Sequence, residues 1–176
     1  SNTNSFSRKT DKPFLPKRTE LQAKANEDCK WRKEAIVGPK KYLGLDINNA
    51  HVQPNGMYHY HGIPSGILKS QQSKNQFEDL IHVGFAGDGF KIFVSLENKF
   101  KSSYKLKVGK RISGPEGPHD GSYTQDFEFS KVAGQLDECN GLTTDEYGYI
   151  YLITNDFPFV PRCWTGKPDQ TFKTRP

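Results

Sequence analysis

The sequence predicts a mainly β fold of the α+β type: a β-sandwich or barrel-like core with a minor helical part, one N-terminal helix, and long loops. Three observations carry that expectation. The 176-residue chain is 34% hydrophobic and 12% aromatic, with 12 Phe and 8 Tyr, so its core draws on side chains that suit strands. Apolar residues recur with a period of two through the second half of the chain. Clusters such as Gly114-Pro115-Glu116-Gly117-Pro118 and Gly166-Lys167-Pro168 punctuate it with turns or loops.

Taken in order, residues 1–18 are polar and basic and carry Pro13 and Pro16, which predicts an extended arm ahead of a single domain over residues 19–176. Thr19-Glu20-Leu21-Gln22 has the capping-box pattern of a helix start. Leu21, Ala25 and Cys29 then share one helical face before Gly38-Pro39 stops the run. Gly62-Ile63-Pro64-Ser65-Gly66 reads as a turn or loop. Phe90, Ile92, Val94 and Leu96 fall on one face of a half-buried strand. Tyr123, Phe127 and Phe129 fall on one face of another, against Thr124, Asp126 and Glu128. Tyr147 to Thr154 is apolar on both faces and predicts a central strand.

The formal net charge is +5, and basic residues crowd toward the start. Arg8, Lys9, Lys12, Lys17 and Arg18 are the candidate polyanion-binding set, for an acidic glycan or a mineral surface, although a solvated tail is the commoner use of such a run. No aromatic RNA-binding signature and no Cys/His finger spacing points to nucleic acid. No stretch nears the roughly 18 apolar residues of a membrane-spanning helix.

Three cysteines are too few and too scattered for a zinc finger or a CxxC pair. Cys139 lies in the polar turn Asp137-Glu138-Cys139-Asn140-Gly141 and Cys163 follows Pro161-Arg162, which suits a disulfide stapling two loops across a hairpin and hence an oxidising, extracellular compartment. Cys29 is then the odd thiol, a small buried residue or a bond to another chain.

In Met57-Tyr58-His59-Tyr60-His61-Gly62 an extended backbone sends His59 and His61 to one face, about 7 Å apart, and the two tyrosines to the other. Imidazoles so placed can converge on one Zn²⁺ or Cu²⁺ ion. His51 supplies a third ligand if the chain folds back across Gln53-Pro54-Asn55-Gly56, and His119 or Asp120 can complete the set from a loop. The alternative is a hydrogen-bonded network in which Tyr hydroxyls and Asn amides satisfy the rings. Asp88, Asp120, Asp126, Asp137 and Glu138 are weaker candidates for Ca²⁺ or acid/base work, because Asp-Gly pairs such as Asp88-Gly89 and Asp120-Gly121 are more often turns. Arg162 is read as half of a structural salt bridge. There is no nucleophile elbow, phosphate loop or HExxH.

The run Leu43-Gly44-Leu45-Asp46 with Asn48-Asn49-Ala50-His51-Val52-Gln53-Pro54-Asn55-Gly56-Met57-Tyr58-His59-Tyr60-His61-Gly62-Ile63-Pro64 resembles the signature of the YHYH family. The resemblance continues through Gly84-Phe85-Ala86-Gly87-Asp88-Gly89-Phe90, Asp120-Gly121-Ser122-Tyr123 and Leu136-Asp137-Glu138-Cys139-Asn140-Gly141. It ends at Phe157-Pro158-Phe159-Val160-Pro161-Arg162-Cys163. It implies an exported protein and no settled reaction. Where that family continues Pro-Ile-Tyr-Gly after Asp88-Gly89-Phe90, this chain has Lys91-Ile92-Phe93-Val94, exchanging a turn for strand formers.

Three functions follow, of different classes. The first is a secreted, non-enzymatic module holding copper or zinc on His51, His59 and His61. The second is a structural or matrix protein that self-assembles into an oligomer or filament, or binds an anionic surface through the basic arm. The third, ranked last, is a metal-dependent hydrolase or oxidase, since no residue has a role that only catalysis would explain.

Overall fold

A computed structural model describes residues 30–36, 44–52, 56–72 and 79–172. The predicted arm, the N-terminal helix and Cys29 lie outside the described residues.

The fold is mostly β. Eight strands form one four-stranded sheet and two two-stranded ribbons, with no closed barrel among the described residues. In the first ribbon β1 (Ala50–Val52) pairs antiparallel with β2 (Tyr58–Tyr60), and His51 lies directly opposite His59. The helix α1 (Ser65–Gln72) follows at once. The sheet runs β3 (Leu80–Phe85), β4 (Lys91–Ser95), β8 (Gly148–Ile153) and β7 (Gly141–Thr144) in spatial order. The second ribbon pairs β5 (Tyr104–Leu106) with β6 (Phe127–Phe129).

The strand expected at Tyr147 to Thr154 is β8, and it is central: β4 lies parallel on one side and β7 antiparallel on the other. Ile150, Tyr151, Leu152 and Ile153 are all buried, which accounts for its apolar residues on both faces. β4 corrects the expectation of a half-buried strand. Side chains are packed on both its faces, so Phe93 and Val94, which point to opposite sides, are each only 2% exposed. Phe93, Ile150 and Leu152 pack with Leu136 on one face; on the other lie Ile81, Val94, Tyr151 and Ile153.

Two further expectations change. The segment read as the turn Gly62 to Gly66 contains the start of α1. Pro64 accepts from the Leu68 amide, and the Gly66 amide donates to Asn48 Oδ1 at 2.7 Å. The strand read through Tyr123 to Phe129 begins as a 3-10 turn over Thr124–Asp126 and becomes extended only at Phe127. That turn carries Asp126 inward, where it is fully buried, rather than outward with Glu128.

Cys139 and Cys163 form the expected disulfide. Cys139 precedes β7 and Cys163 follows β8, so the bond staples the open end of that hairpin. Replacing both cysteines with serine should cost about 3–4 kcal/mol for a loop of this size. Urea denaturation compared with and without reductant reads the loss, and a midpoint unmoved by reductant would show that the staple is not stabilising.

Candidate metal centre

The β1–β2 hairpin is built by local hydrogen bonds that the sequence makes in place. Asp46 Oδ1 accepts from the amides of Asn48 and Ala50, turning the chain into β1. Asn49 takes a positive φ of 55°, a conformation its side chain tolerates, and its carbonyl accepts from the His61 amide at 2.8 Å. Tyr58 donates its hydroxyl to Asp46 Oδ2 at 2.6 Å, locking the return strand to the entry turn. With the register fixed, the period of two does the rest. Tyr58 and Tyr60 meet edge to face on one side, and His59 and His61 stand on the other beside His51.

The three imidazoles converge. His51 Nε2 lies 3.1 Å from His59 Nε2 and 3.2 Å from His61 Nε2, and the ligand atoms of all three lie within 4.8 Å of one another. An imidazole Nε2 carries either one proton or one lone pair, so His51 can make one well-aligned hydrogen bond here, not two. Three nitrogens each bound at 2.0–2.1 Å to a tetrahedral ion would sit about 3.3 Å apart, close to the two spacings that His51 makes. The group can therefore hold one metal ion.

The surroundings orient His59 and keep His61 neutral. His59 Nδ1 faces the Met57 carbonyl at 3.4 Å, which orients the ring and directs Nε2 into the cluster. Burial pushes the His61 pKa down to about 4, helped by the neighbouring His59 and His51 and by Arg162, with Glu34 acting in the opposite sense. His61 thus keeps its lone pair through the ordinary pH range. Arg162 and Glu34 form the expected structural ion pair, Nη2 to Oε2 at 2.6 Å, with the almost fully buried Glu34 also accepting from the Thr124 hydroxyl.

His119 and Asp120, candidates for the same ion, belong to a different cluster. His119 Nδ1 lies 3.1 Å from Asp126 Oδ1, and Asp120 Oδ1 pairs with Arg111 Nη2 at 2.6 Å. The guanidinium of Arg111 also grips both Asp126 oxygens, at 2.7 Å each, and lies over the rings of Trp31 and Tyr123. The remaining carboxylates serve turns and hydroxyls. Asp137 Oδ1 accepts from the Cys139 and Gly141 amides, and Asp88 Oδ2 from the Tyr151 hydroxyl and the Gly166 amide. Sequence reasoning passed over His82, whose Nε2 is buried without a hydrogen-bond partner; a lone histidine in an apolar strand offers no spacing to notice.

The family model described as YHYH protein matches residues 4–166, nearly the whole length. The chain belongs to the YHYH family. The match begins inside the basic arm and ends beyond the disulfide, so in this YHYH protein it takes in the hairpin that presents Tyr58, His59, Tyr60 and His61. Comparison with curated proteins and with solved structures gave no match. No described helix is long and apolar enough to cross a membrane.

Proposed function

We propose that this protein is a secreted, non-enzymatic module that binds one copper or zinc ion through His51, His59 and His61. The observation that carries the reading is the meeting of three Nε2 atoms, with His51 3.1 and 3.2 Å from its two neighbours, a spacing that suits one tetrahedral ion better than a chain of hydrogen bonds. Imidazole is a ligand that both metals favour. The Cys139–Cys163 disulfide supports an oxidising compartment outside the cytosol, in keeping with the exported character that the family resemblance implies.

A three-histidine set leaves a coordination position for water, which is also how hydrolytic zinc sites are built. The reading stays with ion binding because the ligand group contains no carboxylate to act as a base. Glu34, whose charge reaches His61, is already engaged by Arg162 and Thr124.

Elemental analysis of natively purified protein, beside its native mass, tests the proposal. About one copper or zinc per chain is expected. A metal-free protein that also fails to take up either ion on titration would overturn the assignment.

A further inference from the structure

We infer that the groove between the Tyr58–Tyr60 strand, α1 and the sheet is a binding site for a small, uncharged aromatic molecule bearing a hydrogen-bond acceptor. The groove is about 440 Å³, within the range of about 300–1,000 Å³ in which small ligands are held. Its floor is the sheet face bearing Ile92 and Ile153, and its far wall is Ile67 of α1 with Val160 and Pro161. The hairpin that presents the histidines forms the near wall, so His59 belongs to both the metal-ligand group and the groove.

The lining decides the chemistry of the occupant. Among the described residues no Lys, Arg, Asp or Glu lines the groove, so a charged ligand would lose its hydration with no opposite charge from them to replace it. Three large aromatic side chains line it while remaining exposed: Tyr58 at 44%, Tyr60 at 36% and Trp164 at 44%. Aromatic surface left open around an apolar cavity is the arrangement that stacks planar rings. Tyr58 has spent its hydroxyl on Asp46, but the Tyr60 hydroxyl and the Trp164 indole N–H make no hydrogen bond to any described residue. These two donors, on walls that among the described residues are apolar apart from Tyr58 and His59, call for an acceptor oxygen or nitrogen on the ligand.

This inference does not rest on a bound metal, and its test separates the two. Nile red, a neutral planar dye with a carbonyl acceptor, is titrated into the full chain with EDTA present. Saturable binding of one dye per chain is expected. Ile67→Lys, which introduces a charge from a helix that fully buries none of its residues, should weaken binding at least tenfold while leaving the thermal transition cooperative. Trp164→Ala should weaken it to a similar degree, and Tyr60→Phe by about threefold, the loss of one neutral hydrogen bond. Non-saturable binding overturns the proposal, as does an affinity that Ile67→Lys leaves unchanged. A wild-type dimer that Ile67→Lys converts to monomer also overturns it, because the groove would then belong to a second copy of the chain.

Discussion

Arg111→Met should destabilise the protein by about 3–5 kcal/mol, because it leaves Asp126 buried as an uncompensated charge. Asp126 is 0% exposed and its two oxygens receive five contacts: Nε and Nη2 of Arg111, His119 Nδ1, and the amides of Gly121 and Tyr123. Methionine keeps an aliphatic stem but brings no proton donor and no guanidinium over Trp31 and Tyr123. The measurement is urea unfolding of the two proteins at neutral pH, and a difference under 1 kcal/mol would show that water reaches Asp126 in the folded state. The pH dependence of the wild type has a worked sign. Burial alone would raise the Asp126 pKa, yet the hydrogen bonds from Arg111, His119 and the Tyr123 amide outweigh it and hold the carboxyl well below the usual carboxylate range. A depressed folded pKa stabilises the fold above the unfolded value of about 3.9, and that contribution declines as pH falls below about 4 toward the folded value. Arg111→Met should therefore have a flatter stability profile below pH 4 than the wild type.

His59→Ala combined with His61→Ala should abolish the stabilisation that metal confers and leave the metal-free protein nearly as stable as before. At a free zinc concentration one hundred times Kd, binding to the folded state alone stabilises by about 2.7 kcal/mol. For a chain of this length that corresponds to a rise in Tm of roughly 5–11 °C. The rise should vanish in the double variant and in wild type treated with EDTA. Equal destabilisation of the double variant with and without chelator would instead make the histidines a structural network. The reason to expect little loss without metal is that His59 and His61 sit on a two-stranded ribbon whose register is held by other groups: the His61 amide on Asn49 O, the Tyr58 hydroxyl on Asp46, and the Asp46 bonds to the turn.

What the sequence made legible was local in the chain. The alternation through Met57 to His61 sets which side chains share a face, and the only long-range step, bringing His51 across, needs one short turn. The Cys139–Cys163 pairing and the buried strand at Ile150 likewise follow from loop position and local pattern, whereas Arg162 is legible only as half of an ion pair, its partner Glu34 lying 128 residues away. Asp126 was out of reach for the opposite reason. Its partner Arg111 is fifteen residues away, and the 3-10 turn that reverses its facing is dictated by those contacts rather than by the pattern Thr124, Asp126, Glu128. His119 and Asp120 were assigned to the metal by residue type alone, whereas His119 faces Asp126 and Asp120 pairs with the same guanidinium. The start of α1 was hidden by composition, since Gly62, Pro64 and Gly66 read as a turn although a proline just ahead of the first helical residue also suits a helix start.

The parallel contact between β4 and β8 bears on how the chain folds. The β3–β4 and β7–β8 hairpins are each local and can form on the timescale of microseconds, but neither is complete alone. Joining them requires residues 91–94 to find residues 150–153 across a segment that includes the entire β5–β6 ribbon. Such non-local pairing is slow, because the closure entropy of the long crossing is lost before the contact is gained. Until then, β4 is an unpaired apolar edge, and a chain still emerging from the ribosome exposes it until residue 153 has been made. The disulfide flanks the later hairpin and needs Cys163, which is made after residue 153, so it does not shorten that interval.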